Sequence, residues 1–355
     1  MPNLVILNSS NYIPNSTNAF SYTLPQSTKF VEGSQVGVVS FSIYNSTFNV
    51  QASRGNNQLQ FTWNAPFTTG AITSGSTSSG SSTIVLTNST NLSVGQAISG
   101  TGIVANTTIT AINTGTNTIT LSQATGSLIG SGSTINLNNA VYNWTIPDGY
   151  YSISDLNYWL QSQFIINKLY ATITSGNVYF YDMVQNSVRY SVQVDSYYIP
   201  TSANATTLGY TPAVGSAWSW PSSNQTPQLT WNSTFGALIG QLGITFPSAI
   251  QATNQSTLST ITPIISPVNS YVLTCNLINS KYSLPSNTFF TVPITGSIGS
   301  LISYNASSVV MNSIAPNIYS NILIQLYDQN WNQLQLQDKE IVITLCIDEP
   351  FPEKN

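Results

Sequence analysis

Strict alternation of apolar and polar residues recurs along most of the chain, and it constrains the fold more than any other sequence feature. In the segment VVSFSIY, Val39, Phe41 and Ile43 fall on one face of an extended chain, and the serines between them fall on the other. Period-two segments are typical of half-buried strands. The segments with this pattern are 4–8, 19–24, 35–44, 58–63, 141–146, 177–183, 188–194, 271–278, 321–328 and 340–347.

Eight or more strands with few helices between them favour antiparallel sheets over βαβ units. Two packed antiparallel sheets make a sandwich, and with eight strands the usual form is the jelly roll. The sequence therefore predicts an all-β protein with a single jelly-roll β-sandwich.

Helical periodicity is restricted to two segments. In residues 152–164, Ile153, Leu156, Leu160 and Phe164 recur at helical spacing. Ser152 and Asp155, at the start of this segment, fit a capping box. A second short helix is predicted over 235–243, although its glycines weaken that helix.

No charged residue occurs from Gly55 to Pro147. Within this stretch, residues 65–140 combine flexible linker composition with five short alternating segments, at 83–87, 95–100, 106–112, 117–123 and 133–139. Tryptophan-bearing strands flank it at 58–63 and 141–146, which predicts that these strands are neighbours. We expect residues 65–140 to be a small β domain inserted in a loop of a jelly-roll domain built from 1–64 and 141–355.

Charged residues make up only 5% of the 355-residue chain, against about 25% in an ordinary domain. The seven basic residues are scattered singly, so no cationic patch is predicted and nucleic-acid binding is not expected. Lys and Glu are depleted from protein–protein interfaces, so a surface without them suits a protein packed among copies of itself. An AT-rich genome explains the pattern only in part, since Lys is scarce.

The chain contains no histidine, which removes the commonest general base and the commonest zinc ligand. We predict no enzymatic activity, no cofactor and no metal site. A glycan-cleaving activity is the alternative, because it needs only two carboxylates, for which Asp182 and Asp195 are the candidates. Cys275 and Cys346 lie in apolar segments, which predicts two buried free thiols.

The segment SAWSWP (216–221) carries Trp218 and Trp220, with Tyr197, Tyr198 and Tyr210 nearby in sequence. Exposed aromatic rings beside amides suit stacking on a sugar. The alternative is a purely structural role, in which these rings pack a long loop against the fold or fill a subunit contact. Residues 8–18 and 347–355 are polar or proline-interrupted, typical of either frayed tails or arms that pair with a neighbouring subunit.

No basic, apolar leader is present at the N-terminus, and no segment reaches the roughly 18 apolar residues of a membrane span. We expect a protein that folds inside a cell, is not secreted through a signal peptide and has no membrane span.

Two segments resemble a known family. IPDG followed by YYSISDLNYWLQSQF (146–164), and the C-terminal hairpin ILIQLYDQNWNQLQLQDKEIVITLCI (322–347), are similar to penton (minor capsid) proteins of virophages and polinton-like viruses, most closely the Sputnik-like group. Within 65–140, VGQAISGTGIVANTTITAI resembles a small β module of phage tail and virion proteins.

The resemblance implies a homopentamer that closes the fivefold vertices of an icosahedral capsid, surrounded by a double-jelly-roll major capsid protein. It places the chain in the virion, with residues 65–140 on the outer surface. A receptor- or glycan-binding fibre head, or a lectin-like attachment protein using 65–140 or Trp218 and Trp220, is the alternative function.

Overall fold

The computed structural model describes residues 3–67, 73–89, 92, 94–137 and 139–350. Within these ranges the backbone forms 24 strands and three α-helices, which confirms the all-β class. The strands are β1 (Asn3–Asn8), β2 (Ala19–Phe30), β3 (Gln35–Tyr44), β4 (Gln58–Trp63), β5 (Thr83–Val85), β6 (Ile98–Ser99), β7 (Ile109–Asn113), β8 (Thr118–Leu121), β9 (Asn136–Leu137), β10 (Ala140–Thr145), β11 (Ala171–Ile173), β12 (Gly176–Val178), β13 (Tyr181–Asn186), β14 (Ser191–Ser196), β15 (Thr211–Pro212), β16 (Gln228–Trp231), β17 (Thr245–Phe246), β18 (Gln255–Leu258), β19 (Ser270–Cys275), β20 (Thr288–Pro293), β21 (Leu301–Asn305), β22 (Asn312–Ser313), β23 (Asn317–Tyr327) and β24 (Ile341–Asp348). The helices are α1 (Ile153–Asn167), α2 (Ser202–Leu208) and α3 (Ser233–Ile239), and 3-10 turns cover Ser9–Asn11 and Ala52–Arg54.

Residues 3–49 and 266–350 form a jelly roll. One sheet has the order β1-β24-β3-β21, with the short β22 also paired to β3, and the other has the order β2-β23-β19-β20. Numbered among themselves, the eight long strands therefore run 1-8-3-6 and 2-7-4-5, which is the jelly-roll order. The predicted jelly roll is confirmed by this strand order.

Because apolar and polar residues alternate along these strands, apolar side chains from both sheets fill the core between them. Leu7 on β1 and Phe41 on β3 point inward from one sheet, and Phe20, Leu273 and Ile324 point inward from the other. All five side chains are almost fully excluded from solvent. Truncation of such a core residue to alanine typically costs about 2–5 kcal/mol of unfolding free energy.

Residues 50–265 form a second compact unit with its own aromatic core. Phe61 of β4 stacks on Trp144 of β10 at 5.0 Å between ring centroids, and it contacts Phe164 of α1 at 4.9 Å. The ring of Tyr181 on β13 packs edge-on against Phe61 at 6.1 Å.

The boundary between the units differs from the one predicted. Residues 50–64 and 141–265 are predicted to lie in the jelly roll, whereas in the structure they belong to the second unit. The physical reason is that the aromatic side chains of β4 and β10 pack on α1 and β13 of that unit. The jelly-roll strands come only from 3–49 and 266–350.

Helix α1 has the predicted start and buried face. The Ser152 hydroxyl accepts the Asp155 backbone N–H at 3.1 Å, and the Asp155 carboxylate accepts the Ser152 N–H at 2.9 Å, which is the expected capping box. Ile153, Leu156, Leu160 and Phe164 are its buried residues. Helix α3 begins earlier than predicted because Asn232 caps its N-terminus, and it ends earlier because Gly240 caps it in the left-handed conformation.

The two tryptophan-bearing strands are antiparallel neighbours, as predicted. Trp63 lies opposite Ala140, and the pairing is extended by a bridge between Phe67 and Leu137. The residues between them form two small sheets, β5-β8-β7 and β6-β9, whose apolar side chains make a separate cluster that includes Ile84, Ile109 and Ile119. That residues 65–140 are a domain of their own stays a prediction, since Val50–Ile265 is one compact unit.

Replacement of residues 68–136 by a two-residue Asn-Gly turn is expected to leave a folded protein. Phe67 and Leu137 are already bridged, so a hairpin turn suits the gap. In the described residues, the aromatic core has no fully buried member between Ala65 and Ala140, and Phe67, which packs against it, is retained. We expect a cooperative thermal transition and an unchanged near-UV circular dichroism signature for the buried tryptophans.

The matched control is Trp63→Ala in the full chain, which removes a fully buried core ring and is expected to cost about 3–5 kcal/mol. A shortened chain that unfolds as readily as Trp63→Ala would show that residues 68–136 support the aromatic core.

Candidate functional site

The outward side of the sheet β1-β24-β3-β21 is a surface with little charge, which we call the outer face. Its members alternate with the core residues along each strand and are aligned by the strand register. They are Leu4, Ile6, Asn8, Ser40, Ser42, Tyr44, Leu301, Ser303, Asn305, Val342, Thr344 and Cys346. Charge is found at its ends: Glu340 precedes β24, and Asp348, the last residue of β24, is exposed on the same side as Cys346.

Two of the exposed apolar side chains on the outer face belong to the edge strand β1. Leu4 is 66% exposed and Ile6 is 54% exposed, while Leu7 on the opposite side is fully buried. Four consecutive apolar residues, LVIL, therefore present apolar groups on both sides of an edge strand. A strand of this kind is normally covered on both faces, so the outer face has the chemistry of a contact surface.

The outer face is not apparent from the sequence alone. The signal was present in LVIL, because a half-buried strand needs only alternate apolar residues. It became interpretable once β1 was placed at the edge of the sheet beside β24.

Trp218 lies inside the second unit. Its ring is only 3% exposed, it packs edge-on at 5.0 Å against Trp63, and its indole N–H donates to the Lys168 carbonyl oxygen at 2.8 Å. Trp220, half-buried, packs edge-on against Trp218 at 5.0 Å. The environment of Trp218 is that of a loop-anchoring side chain, and a ligand role for either tryptophan stays a prediction.

Asp182 and Asp195 lie directly opposite each other on β13 and β14. Asp195 is 6% exposed, and the Gln193 side-chain amide donates to both of its carboxylate oxygens at 3.0 Å. Asp182 accepts hydrogen bonds from the side-chain amides of Gln161 at 3.1 Å and Asn157 at 3.3 Å. The structure thus brings the two predicted carboxylates together, each engaged by neutral amide donors.

Burial raises the pKa of the Asp182 carboxyl above its ordinary value, and the nearby Asp195 adds to this effect. The amide hydrogen bonds from Gln161 and Asn157 oppose the rise. In the part of the chain that the structure describes, no group of three or more His, Cys, Asp or Glu side chains is placed to hold a metal ion.

The cysteines are both free, but only one is buried. Cys275 lies in the jelly-roll core, where burial raises the pKa of its thiol to about 12. Cys346 is half-buried on the outer face, opposite Leu4, which corrects the prediction of two buried thiols. The outward position follows from alternation, since its neighbours Leu345 and Ile347 point inward.

Residues 8–18 pack on the jelly roll. Asn8 caps the 3-10 turn, Tyr12 forms a bridge with Phe20, and the Lys339 ammonium lies 4.2 Å from the centre of the Tyr12 ring. The other predicted arm, 347–355, is described only as far as Pro350, and residues 351–355 lie outside the described residues. No helix among those described is both long and apolar enough to cross a bilayer.

Comparison with solved structures finds matches that include two over nearly the whole chain. The crystal structure of the mavirus penton protein aligns with 99% of this chain and 98% of its own, at 7% identity and a TM-score of 0.35. A chain in the cryo-electron microscopy structure of the Sputnik virophage aligns with 98% of each chain, at 12% identity and a TM-score of 0.33.

These names agree with the group that the sequence segments resemble. At these TM-scores the jelly-roll assignment rests on the strand order of the chain itself. No protein-family model matches the chain, and no curated protein sequence matches it.

Substitution Asp182→Asn is expected to change how stability depends on pH. The folded-state pKa of Asp182 is raised above its unfolded value of 3.8, so the folded protein holds this proton more tightly. The stabilisation from this group is present below about pH 4 and is lost as the pH rises through the folded pKa. Because an asparagine side chain does not ionise, the variant does not lose stability at this position as the pH rises.

Urea unfolding of both proteins at pH 4 and pH 7 measures the effect. The unfolding free energy of the variant relative to the parent is expected to be higher at pH 7 than at pH 4. An equal difference at both pH values would mean that burial does not disfavour the charged carboxylate.

Proposed function

We propose that the chain is a structural subunit of an icosahedral capsid, and that it forms a homopentamer at the fivefold vertices. The observation that carries the proposal is the outer face, which has little charge and exposes Leu4 and Ile6 from the edge strand β1. Support also comes from the jelly-roll strand order and from the resemblance of residues 146–164 and 322–347 to virophage penton proteins.

The outer face favours a second copy of this chain as its partner. An exposed apolar edge strand invites pairing with another chain unless it is blocked by charge or covered. Here the charged side chains described on this side of the sheet lie only at its ends, at Glu340 and Asp348, and the chain as a whole carries a net charge of only −4 over 355 residues. A fivefold ring is closed by a heterologous contact, in which the outer face meets a different surface of the next copy.

The proposal includes two further partners. The double-jelly-roll major capsid protein would surround each pentamer, and residues 65–140 would be displayed on the outside of the virion. Support for display comes from the β4–β10 hairpin, which carries these residues as one insertion, and from their uncharged Thr- and Asn-rich composition.

Host attachment through residues 65–140 is the second role, and it stays a prediction of the sequence. The feature that favours host attachment is the uncharged polar surface that the Thr and Asn side chains of these residues provide. An array of host glycans probed with the full chain and with the 68–136 replacement separates this role from the vertex role.

Substitution Ile6→Lys is expected to dissociate the pentamer. The parent protein should show a solution mass near five times 38.3 kDa by light scattering behind a sizing column. Lysine at position 6 places an unpaired ammonium at the centre of a desolvated contact, which is strongly unfavourable. We expect the variant mass to fall to that of a single chain, at low and at high salt.

The control is Val188→Lys, which adds the same charge at a side chain that is 94% exposed in the second unit. It should keep the mass of the parent. A trimeric parent would favour a fibre or attachment protein, and an Ile6→Lys variant with unchanged mass would exclude the outer face from the contact.

The thiol of Cys346 reports on the same surface. It is half-buried between β1 and β3 on the outer face, so a contact over this face should shield it. We expect an alkylating reagent to modify Cys346 slowly in the pentamer and quickly in Ile6→Lys. Cys275, enclosed in the core, should react in neither until the protein is unfolded.

A further inference from the structure

Four tyrosines and an asparagine line one cleft of the second unit. The cleft has a volume of about 300 Å³, and its polar lining consists of Tyr179, Tyr197, Tyr198, Tyr210 and Asn254. The remaining lining is aliphatic or phenyl, and all four tyrosines are half-buried. A small cleft with aromatic walls and few polar groups has the general character of a small-molecule site.

Backbone hydrogen bonds hold the cleft together. The Tyr197 N–H donates to the Phe180 carbonyl oxygen at 3.0 Å, which joins the two segments that carry Tyr179 and Tyr197. The Tyr198 N–H donates to Asn254 Oδ1 at 3.1 Å, and the Tyr210 N–H donates to the Ala205 carbonyl oxygen at 2.8 Å after the end of α2. The rings are therefore carried on a fixed backbone, which lowers the entropic cost of binding.

The absence of charge on the lining residues selects the ligand class. An anionic ligand would lose its hydration here without meeting a positive charge, and no lining side chain carries a negative charge that would pair with a cation. Aromatic faces pack against apolar C–H groups, while phenol hydroxyls and the amide of Asn254 supply hydrogen-bond donors and acceptors. A pyranose ring presents this combination, with C–H groups on its faces and hydroxyls at its edge.

We propose that the tyrosine cleft is a carbohydrate-binding site for an uncharged sugar ring. This inference is independent of the vertex role, because the cleft lies wholly within the second unit and does not use the outer face. It also differs from attachment through residues 65–140, none of which line the cleft.

The test begins with the full chain on an array of neutral glycans, followed by calorimetry with the best ligand. Tyr198→Ala and Tyr210→Ala are each expected to weaken binding at least tenfold, because each removes a wall of the cleft. Tyr158→Ala is the matched control, since Tyr158 is 67% exposed on α1 and lies outside the cleft. It should bind like the parent.

Hydroxyl-radical footprinting of the unmodified protein tests the site without any substitution. The bound sugar should protect Tyr197, Tyr198 and Tyr210 and leave Tyr158 reactive. The proposal would be overturned by an array without a neutral ligand, by protection confined to other residues, or by unchanged affinity in folded Tyr198→Ala and Tyr210→Ala. Displacement of the sugar by choline would also overturn it, since aromatic walls then serve a quaternary ammonium ion.

Discussion

The pairing of β24 with both β1 and β3 is the interaction on which the rest of the jelly roll depends. The last strand enters between the first and third strands, with Leu345 opposite Val5 on one side and Val38 on the other. It joins segments that are far apart in sequence, so the sheet closes only when the C-terminal residues are in place. Because this closure uses residues 3–49 and 266–350, the chain between β3 and β19 is free to build a second core without interrupting the sandwich.

Scarcity of charge leaves the edge strand β1 unprotected against pairing with other chains. In most proteins an exposed edge strand is protected by lysine or by an inward-pointing charge. In β1 the residues are Asn, Leu, Val, Ile, Leu and Asn, so this strand lacks that protection. The same composition that suits a subunit contact makes an isolated chain prone to indiscriminate pairing. A closed ring is the arrangement that covers such edges without leading to open-ended growth.

Much of the fold is visible in the sequence because alternation directly reports on burial. The β3 strand has the predicted ends, and the pairing of β4 with β10 was predicted because each strand carries a tryptophan. The domain boundary could not be predicted, since an inward-facing Trp63 has the same pattern whichever core it joins. Helix α2 is invisible for a similar reason: its sequence, SANATTL, buries only Ala205, so it has no apolar periodicity.

The surroundings of the site residues were harder to predict, because they depend on the register of the strands and on the hydrogen-bond partners of the side chains. Predicted strands 177–183 and 188–194 are shifted from β13 and β14 by a few residues, and that shift hides the opposition of Asp182 and Asp195. Trp218 looks exposed in its polar segment, yet the Lys168 carbonyl oxygen satisfies its N–H and permits burial. The tyrosine cleft draws on residues 179, 197, 198 and 210, whose convergence depends on backbone pairing that composition does not encode.

The central claim is that this chain is a capsid vertex subunit, and its position in the virion tests that most directly. A cryo-electron microscopy reconstruction of purified particles should show five copies of the jelly roll around each fivefold axis. The outer face of each copy should be covered by its neighbour. Particles that lack the chain, or that carry it away from the fivefold axes, would contradict the account.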